Sequence, residues 1–394
     1  MIIFLQFCLI ALGFVLLIPV LLIFFQSVIA VFLKNKRLID GKRLSVAVIV
    51  PAHNEEAGIA ATLEYLTPQL LPEDRVVVVA DNCSDQTAII ARQAGVDVIE
   101  RSDAQRRGKG YALDYAIQYL SSKPPQVVVI VDADCKSGAG LLDRLSKVCD
   151  YYQRPVQALY LMHAHQDSGL KVKLAAFAWL FKNKVRALGY ANVGLPCQLM
   201  GTGMAFPWYA LSKVSVASGE IVEDLRLGLD LSSKNTPPLF CSDIVVESMF
   251  PLSAEGLNVQ RTRWEHGHLA MMIKSAPDLI VNAFRSRNFN LLAMVLDMMV
   301  PPLALLAMVI LTYLVVAIGW FYMTAKIGPL MLAGCIFLLF GLSVFGAWIK
   351  FGRHVISLLG LLYVPFYVLR KIPLYLKFMV NRQVEWVRSN RDKG

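Results

Sequence analysis

From Met1 to Leu33 the chain carries no charged side chain, and about 20 apolar residues suffice to take a helix across a bilayer. The run lacks a basic start and a small-residue cleavage site, so it is expected to be a retained anchor, residues 1–33, and not a signal peptide. Lys34, Lys36, Arg37, Lys42 and Arg43 follow at once, a basic cluster that the positive-inside rule places on the cytoplasmic side. With 56% hydrophobic and 17% charged residues among 394, the composition agrees with a membrane protein rather than a soluble globule. The expectation is a multi-pass protein of the inner (cytoplasmic) membrane whose polar middle lies in the cytosol.

A second apolar zone, residues 288–370, contains two long runs at 301–323 and 328–349, each able to cross. The short break "TAKI" makes them a helical hairpin. A third run, 354–369, carries Pro365; a full crossing there would put the basic tail outside, so an interfacial or re-entrant segment is expected. Asp297 precedes Pro301 and Pro302 and is placed at the interface. Residues 371–394 form a basic tail. The net charge of +10 sits beside apolar segments, which favours attraction to membrane lipids, and without a nucleic-acid-binding motif no nucleic-acid partner is expected. The seven cysteines have no metal-ligand spacing and are expected to stay reduced. His163, His165, His266 and His268 lack carboxylate partners at zinc-like spacing and are not expected to bind metal.

Residues 45–287 read differently. "SVAVIV" (45–50), "RVVVVA" (75–80), "VDVI" (96–99) and "VVVIVDAD" (127–134) alternate with segments of helical period. Continuous apolar strands separated by helices predict a parallel sheet covered on both faces, and so an α/β domain. Ligands of such sheets sit beyond the carboxyl ends of the strands. Here those ends carry "PAHNEE", "DNCSDQT" and Asp132 with Asp134, all acidic or amide loops, and "RRGKGY" is not a phosphate-binding P-loop. An electronegative cleft suits a diphosphate only through a hard cation, Mg²⁺ or Mn²⁺, held by carboxylates one residue apart. The competing use of Asp132 or Asp134 is to cap the helix starting near "GAGLLDRLSKV". Further on, Glu223 and Asp224 head an amphipathic helix, where they either complement its dipole or supply a general base. "QRTRWEHGH" offers Gln260, Arg263 and Trp264: an amide, a fork for phosphate and a flat face for a sugar, or else an interfacial helix with a Trp anchor.

The ordered set "PAHNEE", "ADNCSD", "DAD", "GTGMAF", "VED" and "QRTRW" resembles the family 2 glycosyltransferases, in particular the membrane-embedded branch with cellulose, hyaluronan and poly-N-acetylglucosamine synthases. The resemblance runs over about residues 45–268 and implies a GT-A, Rossmann-like cytosolic domain with transmembrane and interfacial helices at both ends. It implies donor-binding roles for Pro51, His53, Asn54, Glu55, Asp81, Lys109, Asp132 and Arg263. By the same resemblance Asp134 is the metal ligand with Asp132 nearer the donor, Asp224 with Glu223 is catalytic, and Gly203, Gln260 and Trp264 face the acceptor. Val222 stands where the family has a hydroxyl residue. Trp386, Arg388 and Arg391 match a gating segment of such synthases, or form a basic tail on anionic lipid.

The implied reaction moves a sugar from a UDP-sugar, with inversion, to a lipid-linked or polysaccharide acceptor in exopolysaccharide or glycolipid biosynthesis. A processive synthase extruding a β-linked polymer is the alternative, although a closed channel would need more helices, a partner or a second copy of the chain. A non-catalytic nucleotide-sugar-binding scaffold predicts loss of a catalytic carboxylate, whereas Asp81, Asp132, Asp134 and Asp224 are all present.

Overall fold

A computed structural model of the chain describes residues 2–34 and 37–375, which divide into two compact units. The first comprises 2–34, Gln166–Val193 and 296–375; the second comprises 37–165 and Gly194–Val295. Trp386, Arg388 and Arg391 lie outside the described residues.

The second unit is built on one eight-stranded sheet. Its strands are β1 Val46–Ala52, β2 Arg75–Asp81, β3 Asp97–Arg101, β4 Val127–Ile130, β5 Lys136–Ser137, β6 Val156–His163, β7 Met204–Pro207 and β8 Leu239–Met249. Their order is β3-β2-β1-β4-β7-β6-β8-β5. The four β-branched runs of the sequence become the four parallel neighbours β3, β2, β1 and β4. The purely parallel sheet expected there is only half of the structure. β7 runs antiparallel to β4 and β6, β8 runs parallel to β6, and β5 pairs antiparallel with β8. β7 is four residues long and β8 carries a register irregularity opposite Ala158 and Leu159, so neither gives a clean periodic signal.

One face of the parallel half is closed by the helix Lys109–Leu120. Ala112, Leu113, Ala116 and Leu120 pack there against Ala47, Ile49, Val77, Val79, Val128 and Ile130. Burying a large aliphatic side chain contributes about 1.5–3 kcal/mol, so this interface fixes the helix firmly. Its first residue, Lys109, is thereby held beside the strand ends. The helix Leu141–Tyr152 starts from Gly140, in the left-handed conformation, with no side-chain cap. Neither aspartate of "DAD" therefore caps that helix.

In the first unit, Ile2–Phe32, Leu303–Thr324 and Gly328–Gly352 are the three helices among the described residues long and apolar enough to cross a membrane. The run at 354–369 is broken into two short helices, Leu358–Leu362 and Val364–Leu369. Gln166–Val193 joins this unit, so the catalytic domain expected as one stretch over 45–287 is interrupted and reaches Val295. The inserted stretch buries Leu174 and Phe177 against Ala307, Ile356, Tyr367 and Val368, an apolar face that the surrounding lysines mask in the sequence. Asp297, expected at an interface, is buried in an ion pair with Arg186 at 2.7 Å and accepts from Gln26 Nε2 at 2.7 Å.

Candidate active site

The loops after β1, β2 and β4 meet in a cleft of the second unit. It is lined by Pro51, His53, Glu55, Asp81, Lys109, Asp132, Asp134 and Arg263 of the expected donor and metal residues, together with Asn82, Arg107 and Gly108. About 900 Å³ inside it is free of protein atoms, part of that open solvent.

The first two loops hold each other. His53 Nδ1 lies 2.7 Å from the Asp81 carbonyl oxygen. The Glu55 amide donates to Thr87 Oγ1 at 2.8 Å, and the Ser84 amide to Asn54 Oδ1 at 2.7 Å. Asn54 and Asn82 both have positive φ, 55° and 51°, a conformation asparagine tolerates better than most residues. Asn54 does not line the cleft; its side chain braces the neighbouring loop.

The "DAD" turn is fixed from three sides. The Val131 amide donates to Ile49 O at 3.1 Å, the Asp132 amide to Thr202 Oγ1 at 3.0 Å, and Thr62 Oγ1 to Ala133 O at 2.8 Å. Asp132, Asp134 and Cys135 bring one potential ligand atom each to within 4.8 Å of one another. Burial and the two aspartates push the Cys135 thiol well above its ordinary range, and sulfur is the soft member of the set. Two carboxylates remain, an oxygen donor set that fits Mg²⁺ or Mn²⁺ rather than a thiophilic metal.

Lys109 is the hub of the site. Its ammonium pairs with Asp132 and donates to Gly201 O at 2.7 Å. A methyl group at Gly201 would lie 3.6 Å from Asp224 Oδ2 and 3.8 Å from Lys109 Nζ, so Asp224 and the ammonium both lie beside Gly201. Burial alone would lower the Lys109 pKa, but Asp132, Glu223 and Asp224 outweigh it and hold the residue well above the ordinary lysine range. Burial and the adjacent Asp224 carboxylate push Glu223 up to about 7, against the pull of Lys109. Glu223 and Asp224 open the helix Glu223–Ser233, and Asp224 Oδ1 accepts from the Leu225 amide at 2.8 Å. Asp224 thus also serves the helix start.

The helix Ala254–Arg285, capped by Ser253 accepting from the Gly256 amide at 3.1 Å, carries Arg263 into the cleft lining. A methyl group at Gly267 of this helix would lie 3.0 Å from Val222 Cγ1. Val222, in place of a hydroxyl residue, is therefore a packing residue that brings the helix up to the acidic pair. Gln260 is 3% exposed and its Oε1 has no hydrogen-bond partner; Trp264 is half-buried. Neither lines the cleft. Gly203 does not line it either: at φ 64° it packs where a methyl group would lie 2.7 Å from Val246 Cγ2.

Several supports were not singled out from the sequence. Thr202 holds Asp132, and Gln157 on β6 holds the turn before β7 through the Met200 amide at 2.8 Å and Thr202 O at 2.9 Å. Arg101 pairs with Asp81 at 2.6 Å. "GTGMAF" was the signal for Thr202; Gln157 and Arg101 act across strands, with no local pattern to mark them.

A family model described as "Glycosyltransferase like family 2" matches residues 43–267, more than half of the chain. Relatives include 4,4'-diaponeurosporenoate glycosyltransferases of Staphylococcus aureus. That of strain bovine RF122 / ET3-1 is 34% identical over 93 residues, 23% of this chain and 24% of the relative. That of strain N315 is 33% identical over 105 residues, 26% and 27% of the two chains. The chain thus spans about a quarter of the length of these curated relatives. Among solved structures, the mannosyltransferase PcManGT from Pyrobaculum calidifontis, in complex with GDP-Man and Mn²⁺, superposes with a TM-score of 0.55 at 18% identity. It covers 86% of this chain and 99% of its own, a likeness that bears on the fold, which is of GT-A type. Across residues 43–267, with the strand-end carboxylates gathered in one cleft, the chain belongs to the glycosyltransferase like family 2.

Proposed function

We propose that the protein is an inverting, metal-dependent, membrane-bound glycosyltransferase. It moves a sugar from a UDP-sugar to a lipid-linked or polysaccharide acceptor in exopolysaccharide or glycolipid biosynthesis. The observation that carries this reading is the pairing of Lys109 with Asp132 on the wall of one cleft, with Glu223 and Asp224 close enough to raise the pKa of the same ammonium. Asp81 and the loop from Pro51 to Glu55 would take the nucleoside. Asp224 would accept the proton of an acceptor hydroxyl as its oxygen bonds to the anomeric carbon. The bond from that carbon to the diphosphate breaks, and its electron pair leaves with UDP. One displacement inverts the anomeric centre, so an α-linked donor gives a β-linked product. Asp134, with Asp132 beside it, would hold Mg²⁺ or Mn²⁺, which offsets the charge of the departing diphosphate. The Mn²⁺ and nucleotide sugar bound by PcManGT support both ligands. Lys109 neutralises Asp132, and Arg263 adds a cation to the cleft wall.

A single transfer to an apolar or lipid-linked acceptor is favoured over extrusion of a polymer. Three candidate crossings among the described residues offer little wall for a channel, and the relatives named above are, by their name, glycosyltransferases of 4,4'-diaponeurosporenoate. The apolar helices and the basic cluster after the first of them support an anchor in the cytoplasmic membrane with the catalytic unit in the cytosol.

The test supplies full-length protein in lipid nanodiscs with a panel of UDP-sugars and GDP-mannose, plus Mn²⁺ or Mg²⁺, with and without polyprenyl-phosphate acceptors. Metal-dependent UDP release with one donor, stimulated by acceptor, is expected. Release with none of them would overturn the reading.

A further inference from the structure

The two oxygens of the Asp81 carboxylate are not equivalent. Oδ1 accepts from Arg101 Nη1 at 2.6 Å and from Asn82 Nδ2 at 3.0 Å. Oδ2 has no donor among the described residues, although Asp81 is only 6% exposed and lines the cleft. A carboxylate oxygen at a cleft wall can accept from a ligand bound there.

Arg101 occupies its place by register. Asp81 and Arg101 end β2 and β3 as paired residues of parallel neighbours, so the guanidinium reaches the carboxylate directly. Its second terminal nitrogen donates to Arg106 O at 2.7 Å and lies 3.2 Å from Asp103 Oδ2. The guanidinium carbon stands 5.6 Å from the centre of the Tyr111 ring. Only the planar fork of arginine can bond a carboxylate on one side and a carbonyl on the other while lying against an aromatic ring. Both side chains of the pair are about nine-tenths buried, at 10% and 9% exposure, which makes the orientation stiff.

We propose that Arg101 is a specificity-determining positioning residue. By occupying Oδ1 it turns Asp81 so that Oδ2 alone faces the cleft, as a fixed acceptor for a ring N–H of the donor's base. The inference rests on the reading of the cleft as the nucleotide-sugar site. It deepens that reading into a rule of base choice. Uracil and guanine carry an N–H at the relevant ring nitrogen, whereas cytosine and adenine present a lone pair there, which a carboxylate repels. A site built to bond an N–H rejects the analogue lacking it far more strongly than an apolar pocket would. The same fork also ties the 103–106 turn to β3, ahead of Arg107 and Gly108 on the cleft wall.

The experiment measures UDP and CDP affinity by calorimetry with Mn²⁺, on the full-length protein in nanodiscs. The proteins are wild type, Arg101→Met, Arg101→Lys, Asp81→Asn and the double variant Arg101→Met/Asp81→Asn. Arg101→Met is expected to weaken UDP about tenfold while weakening CDP far less, so the UDP/CDP preference collapses, and Arg101→Lys falls between. Because Arg101 acts through Asp81, adding Arg101→Met to Asp81→Asn should cost little more than Asp81→Asn alone. Equal loss of UDP and CDP affinity in Arg101→Met, or losses that add in full in the double variant, would overturn the proposal. Asp81→Asn with weakened UDP binding beside an Arg101→Met that binds UDP normally sinks the role of Arg101 alone. Undiminished UDP affinity in Asp81→Asn sinks the base contact itself and the proposal with it.

Discussion

Glu223 and Asp224 differ in environment more than in chemistry. Glu223 is pushed up to about 7 by burial and by Asp224, so near neutral pH it passes between a neutral and a charged form. Below about 7 Glu223 is neutral. Above it, Glu223 adds a negative charge beside Asp224, and like charges disfavour one another's ionised forms, which favours passing a proton onto the pair. The transfer rate of the wild type should therefore rise as pH passes through about 7. In Glu223→Gln that rise should be absent, with the rate at low pH kept within about a factor of three. A pH–rate profile from 5.5 to 8.5 checks this. Identical inflections in both proteins would remove Glu223 from the acid–base chemistry. At this scale the sequence was most informative, because carboxylates at strand ends have few other uses. Thr202, Gln157 and Arg101 stayed hidden, since each acts through a long-range hydrogen bond that no spacing records.

Elements position the site through a few close approaches. The turn "RGKG" delivers Lys109, and it can do so because the loop at 216–218 lies against Gly110. A methyl group there would sit 2.6 Å from Ser218 O and 2.7 Å from Val216 O. Both atoms are backbone and lead into the Glu223–Asp224 helix. Gly110→Ala should thus displace that loop, cost about 1–3 kcal/mol of stability and lower turnover more than UDP affinity. Thermal unfolding with UDP calorimetry and turnover checks it, and a variant of wild-type stability and turnover would show that the loop has slack. The four parallel strands were legible because each is a short run rich in β-branched residues. β5, β6, β7 and β8 were not: β5 and β7 are of two and four residues, and β6 pairs with β8 across a register irregularity. Short or bulged strands take their form from neighbours already in place.

The chain divides into two compact units, one holding the long apolar helices and the other the family 2 region, and the boundary was the least legible feature. Residues 1–33 and the hairpin after Pro302 announce themselves by length and lack of charge. Gln166–Val193 does not, because its four lysines and one arginine resemble a surface helix while Arg186 is buried against Asp297 and Gln26. A paired charge inside a protein is invisible to a reading that takes charges as exposed. The account's central claim is that the cleft of the catalytic unit performs a single displacement with Asp224 as the base. Asp224→Asn keeps the shape of the site and removes the proton acceptor. In nanodisc-embedded full-length protein, this substitution should cut sugar transfer by about a hundredfold or more, with UDP affinity in the presence of Mn²⁺ unchanged. Transfer at near wild-type rate in Asp224→Asn would contradict the account.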